Sequence, residues 1–355
     1  MKALKIMLSL GIIAAICAGC SNKGRALGDG GKIYVVADSL TWVELETPLR
    51  NAFERSIQTP RDETIFPLIW VSQDKFNQYA TRKNIILVGT LDSDGEISAK
   101  VKYMLSAEVR VQVDEGAAFV FPKENAWANE QLLLVLAAAT KEALVQKLAE
   151  NGDYLHGLLK KRLYADTKNE MFEQKEQTEL SAEILEKYGW TFRVQHDYFL
   201  NIERADENFV MLRRSINGRE RWLFVNWIEQ GDPADITEEW ALNRRNFLTG
   251  KFYQGDIIYE SESNPFRSSE ITELAGRYTL KIAGLWVNNI EDAKGTGGPF
   301  INYTFYDEDT QRIYMIDVAV WFPAGEKAEF LRQLEIIAHT FQTKTDIQRQ
   351  KSEDS

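Results

Sequence analysis

Gln131-Leu132-Leu133-Leu134-Val135-Leu136-Ala137-Ala138-Ala139-Thr140 is the stretch on which the fold turns. Its residues favour helix, yet it is short and apolar on every side, so periodicity alone cannot separate helix from strand. The next residues decide it. Thr140 is a good helix N-cap, and from Lys141 to Leu163 the residues Leu144, Leu148, Leu155, Leu158 and Leu159 recur along one helical face. A helix starting at Thr140 leaves Gln131–Ala138 as a buried strand. Asn151-Gly152-Asp153 is expected to kink that helix or split it.

Upstream, Ile33-Tyr34-Val35-Val36 reads as a first buried strand, followed by a helix carrying Trp42, Leu45, Leu49, Ala52 and Phe53. Strands are expected at Phe66–Val71 and Asn84–Gly89, with a short amphipathic piece at Gln73–Tyr79. Between Lys100 and Pro122 the alternation of Val109, Val111 and Val113 predicts a peripheral hairpin turning at Asp114-Glu115-Gly116. Downstream, residues 165–178 are strongly polar and mark a boundary. Beyond it come a helix at Ser181–Tyr188 and strands at Thr191–Val194, Phe199–Arg204, Phe209–Arg214 and Trp222–Trp227, with Asn217-Gly218 a strong hairpin turn. Thr237 caps a helix, strands come next at Tyr278–Leu285, Ile301–Tyr306 and Ile313–Trp321, and an amphipathic helix closes the half at Gly325–Phe341.

These elements predict an α+β protein with two mostly antiparallel sheets, each with helices packed on it. The expected division is a flexible tether at 21–31, an N-terminal domain at 32–165, a charged linker at 166–179, a C-terminal domain at 180–342 and a polar tail at 343–355. In its order of elements the second half is similar to PsbP/Mog1-like domains, a likeness that implies fold and leaves function open.

The first twenty residues run from Lys2 and Lys5 through the apolar stretch Ile6–Ala18 to Gly19-Cys20. That is the order of a secretory signal, and the stretch is too short to span a bilayer. Ile16-Cys17-Ala18-Gly19-Cys20 resembles the lipobox of bacterial lipoproteins, which implies cleavage before Cys20 and its acylation. Several acyl chains on one residue would make membrane attachment stable. Ser21, rather than an aspartate, follows the cysteine, and no acid occurs before Asp29; by analogy with lipoprotein sorting this points to the outer membrane, facing the periplasm, with a tether reaching about 30 Å. Loss of residues 1–19 would move the formal charge from −11 to −13. So acidic a chain is repelled by nucleic acid and anionic lipid unless a local basic patch exists, and the sequence shows only Lys160-Lys161-Arg162, which reads as a solvated helix face. With Cys17 in the signal and Cys20 acylated, neither a disulfide nor a cysteine metal site remains.

The segments Leu49-Arg50-Xaa-Xaa-Phe53, Arg82-Lys83-Asn84-Ile85-Ile86, Trp127-Ala128-Asn129-Glu130-Gln131, Tyr188-Gly189-Trp190, Asn243-Arg244-Arg245-Asn246, Gly284-Leu285-Trp286, Gly297-Gly298-Pro299-Phe300 and Leu331-Arg332-Gln333-Leu334-Glu335 together resemble an uncharacterised family of Bacteroidetes-type lipoproteins, defined only as a domain of unknown function. The resemblance spans roughly Lys32 to Phe341 and implies an envelope role. It brings no substrate and no catalytic residue. Asn129-Glu130 departs from its pattern, which has a basic residue and proline there.

No metal spacing links His156, His196 and His339, and neither a nucleophile elbow nor a P-loop occurs. No cofactor and no metal are expected. Most of the nine tryptophans should be core. Trp127 and Trp286 stand beside polar, glycine- or asparagine-rich loops and are the candidates for a binding surface, with Arg244, Gly297 and Gly298. The function expected is a membrane-anchored envelope lipoprotein acting as a non-enzymatic binding or assembly factor, with envelope proteins or glycans as partners and no nucleic acid. The alternative is a carboxylate-based hydrolase or glycan-processing enzyme, recognisable by two facing carboxylates about 5 to 9.5 Å apart in a deep pocket.

Overall fold

A computed structural model describes residues 23–173, 176–253, 255–260, 267–290 and 295–353. The signal, Cys17 and Cys20 lie outside the described residues. The chain divides into two compact units, the first comprising residues up to Arg55 and Thr64–Leu163, the second Ser56–Glu63 and Tyr164–Ser355.

The elements of the first half are β1 (Ile33–Val36), α1 (Ser39–Phe53), the strands β2 (Arg55–Gln58) and β3 (Asp62–Ile65), β4 (Leu68–Val71), α2 (Phe76–Tyr79), β5 (Asn84–Thr90), α3 (Glu96–Met104), α4 (Ala107–Asp114), β6 (Val120–Glu124), β7 (Leu132–Ala138) and α5 (Lys141–Phe172). Thr140 Oγ1 accepts from the Ala143 amide, so the cap that made Leu132–Ala138 a strand is real. The sheet order is β4-β1-β5-β7-β6, with β1 parallel to β4 and β5, β5 parallel to β7, and only β6 antiparallel. The antiparallel sheet expected of this half is therefore corrected to a mainly parallel one. The reason lies in the sequence: Ile85–Val88 and Leu132–Ala138 are apolar on both faces because helices cover both. Helices α1 and α5 bury Leu45, Leu49, Leu144 and Leu155 against Ile33, Val35, Ile86 and Leu134. On the opposite face Phe76, Ile97, Val101 and Val113 cover Tyr34, Val36, Leu87 and Val135.

Other local expectations are also corrected. The hairpin at Lys100–Pro122 is two helices, because Ser106 caps α4 and only Val113 of its three valines is buried. Helix α5 passes through Asn151-Gly152-Asp153 unbroken; a Cβ on Gly152 would stand 3.4 Å from the Ala52 backbone, so close helix packing explains the glycine. Residues 166–172 are the last turns of α5 and no linker, with Met171 and Phe172 buried among the apolar residues of the second unit. The tether is packed too: the Ala26 amide donates to Asn129 O, the Leu27 amide to Thr81 O, and Asn84 Nδ2 to Gly30 O.

The second half continues with α6 (Thr178–Tyr188), β8 (Trp190–Thr191), β9 (Phe199–Arg204), β10 (Phe209–Ile216), β11 (Arg219–Glu229), α7 (Glu238–Phe252), β12 (Asp256–Ile258), β13 (Ser268–Leu274), β14 (Arg277–Asn288), β15 (Gly297–Asp307), β16 (Arg312–Trp321), α8 (Ala328–Ala338), β17 (Gln342–Thr343) and α9 (Lys344–Glu353). The strand expected at Thr191–Val194 shrinks to β8, which pairs with β17. The main sheet is antiparallel throughout, in the order β12-β14-β15-β16-β11-β10-β9 with β13 also on β14, as expected of this half. Asn217 and Gly218 both take positive φ, which closes the β10–β11 turn. One face of the sheet packs on α6 and α8 through Ile184, Leu334, Ile337 and Phe341. The other packs on α7 through Ala241 and Leu248.

Two helix ends show how distant residues complete local structure. Helix α8 has no capping side chain of its own; the Glu63 carboxylate accepts from the amides of Lys327 and Ala328 at 2.8 Å each. The expected polar tail is instead α9, started by a reciprocal capping pair in which Asp346 accepts from the Thr343 amide at 2.7 Å and Thr343 Oγ1 accepts from the Asp346 amide.

Candidate functional site

The structure separates the five candidate surface residues. Trp127 belongs to the first unit, half-buried, its ring edge-on to Phe76 at 5.3 Å. The other four belong to the second. Trp286 is 4% exposed and packs on Trp222 at 5.4 Å. Gly297 and Gly298 begin β15, and Gly298 sits opposite Trp286 in the register. A Cβ on Gly298 would lie 1.9 Å from Val320 O, and one on Gly297 2.6 Å from Trp286 O. Both glycines thus permit close backbone approach. Arg244 is half-buried and donates from Nε to Asn226 Oδ1 at 3.0 Å, and burial pulls its pKa below the usual value. None of these residues forms an exposed aromatic platform.

The residue that organises this face is Arg245, one position on. Helix α7 turns Ala241, Arg245, Leu248 and Thr249 inward. Arg245 Nε donates to Asp317 Oδ2 at 2.8 Å, and both side chains are essentially inaccessible. Asn302 Nδ2 donates to the same oxygen at 3.0 Å, while Thr304 Oγ1 donates to Asn302 Oδ1 at 2.9 Å. The guanidinium lies 3.8 Å from the centre of the Phe300 ring. Tyr253 stands edge-on to Trp222 and Phe224. Arg245 Nη1, Asp317 Oδ1, the Tyr253 hydroxyl and the indole nitrogens of Trp222 and Trp286 are buried with no protein partner among the described residues. Each such group left dry would cost roughly 1–3 kcal/mol, so the layer between α7 and the sheet calls for water or a polar solute rather than more apolar packing. Four of the five can donate, which makes the layer donor-rich. Its sequence signal existed: an arginine in the buried phase of a helix, and an aspartate on the inward face of the apolar run Ile313–Trp321.

Burial raises the Asp317 pKa above that of a free aspartate, opposed by the Arg245 charge and by the bonds from Asn302 and Arg245. The folded form therefore binds this proton more tightly than the unfolded chain. The stability it contributes is complete below the unfolded value of 3.8 and is lost as pH rises through the higher folded value. Wild type minus Asp317→Asn should thus fall in stability with rising pH across that window and stay flat at neutral pH. Urea midpoints from pH 3 to 8 measure it; a difference that rises with pH would refute the assignment.

Beside α7 an open cleft of about 760 Å³ is lined by residues including Glu238, Asn243, Asn246, Tyr259, Glu260 and Arg267. Arg267 pairs with Glu238 at 3.2 Å and with Glu260 at 2.7 Å. Two of its carboxylates are thus held by one guanidinium, an arrangement that fixes geometry more than it moves protons. The histidines stay apart: His156 Nδ1 meets Phe53 O at 2.8 Å and burial lowers its pKa, His196 stands beside Asp197, and His339 lies edge-on to Tyr303. No group of three or more metal-ligating side chains occurs among the described residues.

In the first unit the chain leaves β1 towards β4 and leaves β5 towards β7, so the carboxyl ends of β1 and β5 form the switch point where doubly wound sheets take ligands. Here the protein's own carboxylate occupies it. Asp38 accepts from the Ile97 amide at 2.9 Å, and from the amide and hydroxyl of Ser98 at 3.0 Å each. A Cβ on Gly95 would stand 2.1 Å from Asp38 Oδ2. The N-terminus of α3, where an anionic ligand would sit, is already satisfied.

Residues 26–172 match the model of a domain of unknown function (DUF8532), and residues 177–340 match that of a second (DUF4837). The two models meet at the end of α5, whereas compactness divides the chain inside it, at Leu163. No curated protein matches the chain. Among solved structures, the Ran-binding protein Mog1p of Saccharomyces cerevisiae is similar at 12% identity and a TM-score of 0.31, covering 44% of this chain and 90% of that one. LpqN, involved in cell envelope biogenesis of Mycobacterium tuberculosis, is similar at 12% identity and a TM-score of 0.28, covering 43% and 81%. Two models of domains of unknown function, DUF8532 and then DUF4837, thus match the chain in tandem.

Proposed function

We propose that this protein is a lipid-anchored envelope protein acting as a non-enzymatic binding or assembly factor, with its second unit as the binding module. The observation that carries the reading is the order of residues 1–20, basic, apolar, small, then Cys20. No described helix is long and apolar enough to cross a membrane, so the attachment proposed is the acylated cysteine. The donor-rich layer under α7 and the open cleft beside it support a binding role for the second unit. The location proposed is the outer membrane, facing the periplasm.

Labelled palmitate tests the anchor: incorporation is expected in the wild type and its complete loss in Cys20→Ala. An unlabelled wild type that retains residues 1–20 would end the lipoprotein reading. Crosslinking in intact envelopes, followed by pull-down, tests the binding role, with specific envelope partners or glycans expected. Protease added to intact cells tests the side: the chain should survive until lysis, and removal without lysis would place it outside.

A further inference from the structure

The segment after the anchor is built into the first unit. The Lys23 ammonium donates to Asn125 O at 2.8 Å and Ala126 O at 3.0 Å, Asn129 Nδ2 donates to Lys23 O at 2.6 Å, and the Asn129 amide donates to Gly24 O at 2.9 Å. Arg25 pairs with Glu130 at 2.6 Å, and the Lys83 amide donates to Leu27 O. All of these partners precede β5 or β7, so residues 23–31 lie along the amino ends of the parallel strands. From Cys20 to Lys23 is three residues, a reach of at most about 11 Å. An anchor on Cys20 would therefore hold this edge against the bilayer, with none of the 30 Å freedom of a loose tether.

The same edge gathers positive charge. Lys23, Arg25, Arg82 and Lys83 meet there through the packed segment. Helix α5 brings its basic triplet to the same place: Leu163 would touch a Cβ on Gly30 at 3.2 Å, and Arg162 pairs with Glu124 at 3.2 Å, one residue from the Lys23 contact. Lys23, Arg25, Lys160 and Lys161 are exposed, as is the apolar Leu27 at 58%. On a chain of net charge −11, the cations of this edge outnumber the acids beside them, Asp29, Glu124 and Glu130. We propose that the amino-end edge of the first sheet is a docking face for anionic lipid headgroups, apposing the first unit to the membrane in one orientation. The apposition rests on the anchor reading; the affinity for anionic lipid rests on charge alone.

Two arms keep these apart. The acylated full chain is placed in vesicles of phosphatidylethanolamine and phosphatidylglycerol containing a nickel-chelating lipid, with a nitroxide on Leu27→Cys or on Val43→Cys, which is 75% exposed on α1 beyond the carboxyl end of β1. Relaxation several-fold stronger at position 27 is expected; equal relaxation at both overturns the orientation. In the second arm the chain from residue 20 onward, carrying Cys20→Ala, is floated with phosphatidylglycerol or phosphatidylcholine vesicles. Its excess binding to the anionic vesicles should fall about tenfold or more in Lys160→Glu/Lys161→Glu, with an unchanged melting temperature confirming that the variant folds. Equal flotation of the two chains overturns the lipid face even where palmitate labelling succeeds, and failed labelling leaves this arm decisive.

Discussion

Replacing Arg245 by methionine should lower unfolding stability by about 3–5 kcal/mol at neutral pH, because it leaves the buried Asp317 carboxyl without its counter-charge, to be held ionised or forced to take a proton. Asn302 keeps one bond to Asp317 Oδ2, which is too little to replace a guanidinium at 2.8 Å. Removing both charges together, as Arg245→Met/Asp317→Leu, should recover most of the loss, since an apolar pair needs no desolvation. Urea denaturation of the four chains of this cycle measures the coupling. A cost below about 1 kcal/mol for Arg245→Met would mean that water reaches Asp317 and that the layer under α7 is open to solvent.

The second large effect is expected at Gly298. Alanine there puts a methyl group 1.9 Å from Val320 O, a backbone atom of β16 inside the central antiparallel ladder, with Trp286 Nε1 another 3.1 Å away. Neither is the free end of a flexible side chain, so β15 must shift out of register or away from β16. Strain of this kind costs about 1–3 kcal/mol and occasionally more, and a clash with backbone places Gly298→Ala at the upper end, with a clearly lowered melting temperature. Gly218→Ala is a fair contrast, a turn glycine with nothing within 4 Å of its Cβ, where only the positive φ of 72° resists and about 1 kcal/mol is expected. Thermal melts of both variants test the difference. A Gly298→Ala protein as stable as wild type would show that the strands adjust freely there.

Much of the fold was legible because its signals are local. Thr140 stops the strand β7 and starts α5, Asn217-Gly218 turns β10 into β11, and Thr237 caps α7 by accepting from the Trp240 amide at 3.1 Å. The sequence misleads where local pattern and tertiary setting disagree. Val109, Val111 and Val113 alternate like a strand, yet they sit on a capped helix that turns Val109 and Val113 to the core and leaves Val111 exposed. Residues 165–172 look like a linker by charge, but two apolar residues, Met171 and Phe172, are enough to bury the end of α5. Tyr164 adds a bond to Glu335, which also accepts from the Tyr303 hydroxyl at 2.8 Å, and burial with that carboxylate drives the pKa of both phenols up.

The binding surface was the least legible part. Trp286, Gly297 and Gly298 stand out in the sequence by their loop-like neighbours, and they serve strand packing instead, because a glycine pair before a proline describes a close backbone approach as well as it describes a loop. Arg244 and Arg245 are equivalent in the sequence; only the phase of α7 against the sheet sends one to Asn226 and the other to Asp317.

By itself the sequence determined the secondary structure around its caps and turns, the sheet-and-helix class of both halves, and the N-terminal order basic, apolar, small, cysteine, since each of these depends on neighbours within about ten residues. Only the tertiary structure decided strand direction in the first sheet, which depends on which faces the helices cover. It alone joined Glu63 to the amides of Lys327 and Ala328, and it alone drew Lys23, Arg25, Arg82 and Lys83 to the edge where Lys160 and Lys161 emerge. Those meetings come from chain closure over tens to hundreds of residues, and no local periodicity records them.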